Sequence, residues 1–211
     1  MHCDSLSCDS LTSFPLAFFT KFETLDIWGC TNLESLYIPD GFHHVDLTSL
    51  QSLYIYYCAN LVSFPQGGLP TPNPKSLLIS SSKKFRLLPQ GMHTLLTSLQ
   101  HLHISNCPEI DSFPQGGLPS NLSSLHIWNC NKTCGLPDGG LQYLISLETL
   151  YILNCEKLKS FPKHGLPSSL SRLNISKRLL LKKRCQRDKG KEWPKICHIP
   201  CIVIEEEFIL S

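Results

Sequence analysis

The octapeptide Ser-Phe-Pro-Gln-Gly-Gly-Leu-Pro occurs twice, at residues 63–70 and 112–119, 49 residues apart. Leu88-Pro89-Gln90-Gly91 falls midway between the copies. Leu136-Pro137-Asp138-Gly139 and Phe161-Pro162 follow at similar intervals, and Phe14-Pro15 lies about two intervals upstream. A fixed period of roughly 24 residues marks a tandem array, in which one small unit recurs and no unit buries its apolar face alone.

Aligning the chain on this period exposes the unit. One copy reads Leu50-x-x-Leu53-x-Ile55-x-x-Cys58-x-x-Leu61-x-x-Phe64-Pro65. Two others run Leu99, Leu102, Ile104, Cys107, Ile110, Phe113, Pro114 and Leu147, Leu150, Ile152, Cys155, Leu158, Phe161, Pro162. Weaker copies centre on Leu25, Leu77, Leu125 and Leu173. The second leucine stands at 25, 53, 77, 102, 125, 150 and 173, so only the first interval, 28 residues, is long. Leu33-x-x-Leu36-x-Ile38 is read as an irregular extra half-turn that fills it.

Leu-x-Ile alternates with period two and predicts a short strand with both side chains on one face. The Cys three residues later is predicted to point inward too. Equivalent residues of successive coils then stack at the strand spacing of about 4.8 Å. Phe/Leu-Pro-x-Gly turns the chain on the far side, where Pro ends pairing and Gly supplies turn geometry. That side is expected to be loop or 3₁₀. The predicted architecture is an α/β solenoid of about seven coils over residues 1–176, the first incomplete, with short parallel strands on a concave face. Residues 177–211 form a C-terminal cap.

These arrays, over residues 8 to 176, resemble the leucine-rich repeat family. The Cys-x-x-Leu-x-x-Phe-Pro form is similar to the repeats of plant intracellular nucleotide-binding immune receptors. Arg184-Cys185-Gln186, Gly190-Lys191-Glu192-Trp193-Pro194-Lys195-Ile196 and His198-Ile199-Pro200 resemble the closing segment of the coiled-coil branch of that family. The resemblance implies a recognition end. Its inner face would contact a pathogen protein or a host protein, and the same region would restrain a nucleotide switch domain. No Gly-x-x-x-x-Gly-Lys-Ser/Thr loop is present, so nucleotide binding is not carried over. Ser82 stands in a Cys slot, and Pro74 and Thr133 replace leucines.

Composition bounds the alternatives. With 42% hydrophobic and 17% charged residues, this 211-residue chain can bury a core and is not expected to be disordered. No run approaches the length of a membrane span. Residues 1–10 lack the basic start and apolar stretch of a signal peptide, so a reducing cytoplasm or nucleus is expected. The chain starts in mid-pattern, with Cys3 and Ser5 where Leu and Ile should stand, and this end is expected to fray or self-associate in isolation.

The eleven cysteines fit that compartment. Cys8, Cys30, Cys58, Cys107, Cys130 and Cys155 fall in one column and are read as a ladder of small buried residues, each a weak S–H donor. Cys185, Cys197, His198 and Cys201 lack the paired short spacings of a zinc site, so no metal is expected. No nucleophile elbow, zinc-protease motif or carboxylate pair appears, so neither enzymatic activity nor a cofactor is expected.

The residues flanking each inward Ile are predicted to line the exposed side of the sheet. Asp26, Tyr54, Leu78, His103, His126, Tyr151 and Asn174 precede it; Trp28, Tyr56, Ser80, Ser105, Trp128, Leu153 and Ser176 follow it. Aromatic and histidine side chains are prominent there. Such residues anchor protein interfaces, although Tyr and Trp also simply suit strands. The protein-binding residues singled out are Asp26, Trp28, Tyr54, Tyr56, His103, His126, Trp128, Tyr151 and Asn174. The expected partner is a protein: a pathogen effector, a host target or the receptor's own nucleotide-binding domain. A stand-alone adaptor or an inactive receptor fragment is the alternative.

The net charge of +2 conceals a strong asymmetry. Residues 177–195 hold nine Lys or Arg against Asp188 and Glu192, net +7. Nucleic-acid binding is one reading of such a run. A solvated cap is the other: a helix over residues 177–189 ended by Gly190, with Leu179 to Leu181 docked on the last coil and Ile202-Val203-Ile204 as a final strand.

Overall fold

The structure, a computed structural model, describes residues 10–16, 21–39, 48–69, 71–110, 112–114, 116–130, 141–155, 158, 160–176, 179–205 and 207–209. Seven Leu-x-Ile segments form five-residue strands: β2 (Thr24–Trp28), β4 (Ser52–Tyr56), β5 (Ser76–Ser80), β6 (His101–Ser105), β7 (Ser124–Trp128), β8 (Thr149–Leu153) and β9 (Arg172–Ser176). They pair in parallel and in chain order, with Leu on Leu and Ile on Ile from Leu25–Leu53 to Leu150–Leu173. β10 (Cys201–Ile204) continues the parallel run, and β11 (Glu207–Ile209) folds back antiparallel on it, completing a nine-stranded sheet. The molecule is a parallel β-solenoid with little helix. Besides one 3₁₀ turn, the described helices are α1 (Met92–Leu95) and α2 (Leu179–Arg184).

The core is a set of columns. Leu25, Leu53, Leu77, Leu102, Leu125, Leu150 and Leu173 are buried, as are the isoleucines two residues on. A further column on the far side holds Phe14, Leu36, Phe64, Leu88 and Phe161. Phe85 fills the leucine position of its coil and meets the Phe64 ring edge-on at 5.7 Å.

This far-side column corrects the reading of Leu33 to Ile38. Leu36 occupies the position held by Phe64 one coil later, and β3 (Ser35–Tyr37) pairs in parallel with β1 (Ser13–Pro15). Ser35 bridges to Ser63 and Ser63 to Leu87, carrying that pairing onward. Leu33 and Leu36 are therefore ordinary members of their coil. The extra residues of the long interval fall after Ile38.

The strands end by a common device. The second residue after six of the inward isoleucines is left-handed: Gly29 (φ 70), Tyr57 (56), Ser81 (55), Asn106 (51), Asn129 (53) and Asn154 (52). Its N–H donates to a carbonyl of the next coil, as in Asn106 to Trp128 and Asn129 to Leu153, both at 2.9 Å. Asn tolerates this conformation better than most residues, and here its side chain is also used. Asn154 Nδ2 donates to Asn129 Oδ1, and Asn129 Nδ2 to Asn106 Oδ1, each at 2.8 Å.

Among the described residues the coils return in two ways. Those with Ser-Phe-Pro at 63–65, 112–114 and 160–162 return through a left-handed glycine turn. The coil between the first two returns through α1. Gly68 and Gly116 lie against that coil from either side: a Cβ on Gly68 would stand 2.3 Å from the Gln90 carbonyl oxygen, and one on Gly116 2.1 Å from the His93 ring. Asn73 and Asn121, on the return of the glycine-turn coils, donate to the Thr48 and Thr97 carbonyls of the coils before them.

The basic segment closes the array. α2 stops at Arg184, earlier than the helix expected to reach residue 189, and the chain reaches Gly190 through turns. A Cβ on Gly190 would stand 1.9 Å from the Arg184 carbonyl oxygen, so any side chain there is excluded. Leu181, Cys185, Trp193, Ile196 and Ile199 are buried, while Lys183, Arg184, Arg187, Lys189 and Lys191 face solvent. Glu192 is buried, 6% exposed. Its Oε2 accepts the Phe161 N–H at 2.9 Å and Lys195 Nζ at 3.1 Å, while Lys195 Nζ donates to the Phe161 carbonyl at 3.0 Å. Two side chains thus satisfy the backbone donor and acceptor that a following coil would otherwise meet.

Candidate functional site

Because strand residues alternate between faces, burying Leu and Ile turns their neighbours to the opposite side. The parallel register then aligns those neighbours across the sheet. Asp26, Tyr54, Leu78, His103, His126, Tyr151 and Asn174 form one row, each paired with the next. Trp28, Tyr56, Ser80, Ser105, Trp128, Leu153 and Ser176 form the row beside it. The structure therefore brings all nine singled-out residues onto one face. Trp28 and Trp128 stand 45% and 50% exposed; the other seven are half-buried. Ser105, read from sequence as outward, is buried and donates to Ser80 Oγ at 2.9 Å. A third row on this face, Thr24, Ser52, Ser76, His101, Ser124, Thr149 and Arg172, was not singled out, because its members share no residue type that distinguishes them from loop.

The middle of the face is a stack of rings. His103 and His126 lie 5.6 Å apart, and His126 stacks on Tyr151 at 4.4 Å and 22°. Ser124 Oγ lies 3.1 Å from His126 Nε2, and Arg172 Nη1 donates to the Tyr151 hydroxyl at 3.4 Å. Partial burial lowers the His103 pKa below the ordinary histidine value. His126 is lowered by burial first, then by the neighbouring His103 and His101. Both rings are thus held toward the neutral form. With Tyr54, Leu78 and His101 they edge a shallow depression of about 260 Å³. The arrangement offers apolar ring faces and neutral hydrogen-bonding nitrogens and hydroxyls, suited to contact with another protein surface.

The cysteine column sits behind this face. Cys30, Cys58, Cys107, Cys130 and Cys155 are buried free thiols; Cys8 lies outside the described residues. Cys58 Sγ is 3.5 Å from the Tyr56 carbonyl and 3.9 Å from that of Ile27 one coil back. Cys107 and Cys130 are placed alike. Ser82 occupies the slot with the same bond to Ser80. Burial pushes the Cys58 and Cys130 thiols up to about 12 and Cys107 to about 11, far from the thiolate that ligation or nucleophilic attack needs. No His, Cys, Asp and Glu grouping that could hold a metal occurs among the described residues. No helix among them is long and apolar enough to cross a membrane.

Fold and face together define a repeat solenoid that presents one exposed, aligned sheet surface. Over 89 residues, 42% of its length, the chain is 43% identical to a putative disease resistance protein of Arabidopsis thaliana. That stretch is 6% of the plant protein, so the chain spans a small part of the relative it matches. No family model matches, and no solved structure matches.

Proposed function

We propose that this chain is a leucine-rich-repeat recognition module of an intracellular plant immune receptor, binding a pathogen or host protein on the inner face of its sheet in the defence response. One observation carries the reading. A framework of inward Leu, Ile and Cys holds Tyr54, His103, His126, Tyr151 and their neighbours in aligned rows on a single surface. The framework residues are fixed by packing and the row residues are not, so one scaffold serves many specificities. The partial similarity to a putative disease resistance protein supports the biological setting. The basic segment is read as a cap, because its apolar side chains are buried and Lys195 is engaged on Phe161.

The test is affinity capture from plant cells with the chain in its native transcript context. Tyr54→Ala, His126→Ala and Tyr151→Ala are compared with Tyr143→Ala, an exposed residue outside the sheet. The expected result is a protein captured by the wild type and by the Tyr143 variant but lost from the face variants. If every captured protein ignores the face variants, the reading fails.

A further inference from the structure

Across β2 and β4–β9 the exposed face is almost uncharged. Of the residues that β2 and β4–β9 place in its three rows, only Asp26 and Arg172 carry a full charge with histidines neutral, and they lie at opposite ends. Arg172 is directed at the Tyr151 hydroxyl. Asp26 has no such contact: its Oδ1 is buried without a hydrogen-bond partner, although the side chain as a whole remains partly open. An acceptor withdrawn from water and left unpaired is destabilising unless a donor reaches it.

The rest of the Asp26 side chain stays partly open, and its neighbours across the sheet are aromatic. Asp26 pairs in register with Tyr54, and Trp28, two residues on along the same face, pairs with Tyr56. The four side chains mark the corners of a rectangle about 4.8 Å by 7 Å, set by strand spacing and two-residue rise. The Tyr54 and Tyr56 rings lie 6.3 Å apart at 48°, and Trp28 is held edge-on against Tyr57 at 6.1 Å. The Asp26 charge is felt at the Tyr56 hydroxyl, whose pKa it helps burial to raise. A carboxylate flanked by three electron-rich rings favours an ammonium or guanidinium: the ring faces attract the cation while the carboxylate accepts its N–H groups.

We propose that Asp26, Trp28, Tyr54 and Tyr56 form a subsite for one cationic side chain, lysine or arginine, of the protein bound on this face. The proposal rests on the recognition reading and adds the chemistry of one contact. The partner carries an exposed basic residue at the β2 end of an otherwise neutral footprint.

The experiment titrates the chain with N-acetyl-lysine methylamide, N-acetyl-arginine methylamide and the uncharged N-acetyl-norleucine methylamide, following the indole N–H resonance of Trp28. Saturable shifts are expected with the two cations, at least fivefold tighter than with norleucine. They should be lost in Asp26→Asn and retained in Tyr151→Ala. Norleucine matching lysine on the wild-type chain overturns the proposal whatever the variants do. So does an Asp26 variant that binds lysine normally. A normal lysine response in a chain whose captured partners ignore the face variants would leave the subsite standing while the recognition reading failed.

Discussion

Substituting Glu192 by alanine removes the carboxylate that holds the last coil to its cap. Its Oε2 is the acceptor for the Phe161 N–H and for Lys195 Nζ. The side chain is 8% exposed and that of Lys195 24%, so solvent replaces neither bond readily. A buried N–H left without an acceptor costs about 1–3 kcal/mol. Loss of the charged partner of Lys195, discounted for its exposure, adds about 1 kcal/mol. The expected destabilisation is about 3 kcal/mol, with glutamine, which keeps a carbonyl acceptor, near 1 kcal/mol. Urea unfolding measures the total. Amide exchange localises it: at about 1.4 kcal/mol per tenfold, the Phe161 amide should exchange roughly a hundredfold faster, ahead of the strand amides of β5 and β6. An alanine variant within about 0.5 kcal/mol of wild type, with unchanged Phe161 protection, would show that the clamp contributes nothing and that apolar burial alone seats the cap.

Other outcomes follow from the columns. Cys107→Leu adds volume to a fully buried slot between two coils and should destabilise by roughly 1–3 kcal/mol, whereas Cys107→Ser should be milder because Ser82 already occupies the equivalent place; thermal melts compare the two. Asn129→Ala should lose about 1–2 kcal/mol, since alanine resists a φ of 53 and two amide hydrogen bonds go with the side chain; Asn129→Gly, which keeps the backbone conformation, separates the two effects. His103 and His126 have folded-state values below the unfolded one, so the unfolded chain takes up protons first. Their contribution is complete above about pH 6.5 and declines as pH falls through the lower folded values. Urea midpoints from pH 7.5 to 5 should drop, and a His103→Gln, His126→Gln variant should drop less.

Much of the sheet was legible because each strand announces itself by Leu-x-Ile at a fixed interval, and period two then assigns the faces. Leu33 to Ile38 was misread because Leu36-x-Ile38 mimics the strand signature, while its pairing with residues 13–15 is a long-range fact that spacing does not encode. The left-handed column escaped notice for a different reason. Backbone conformation is its shared property, and Gly29, Tyr57, Ser81 and Asn106 have no side-chain chemistry in common. The Glu192–Lys195 clamp was hidden because side chains there take the place of backbone partners, so no periodicity reaches it. Row membership of Asp26 was readable, but its unpartnered oxygen depends on what neighbouring strands fail to offer.

The glycine turns bear on how such a chain can change length. Gly68 and Gly116 are shaped to receive the α1 coil between them, so excising that coil would bring two bare turns together with nothing to fill the gap. Growth or shrinkage that preserves the packing therefore proceeds by pairs. A block of about 49 residues, the separation of the two identical octapeptides, spans one glycine-turn coil and one α1 coil, and it adds or removes two rungs of the exposed sheet face at a time.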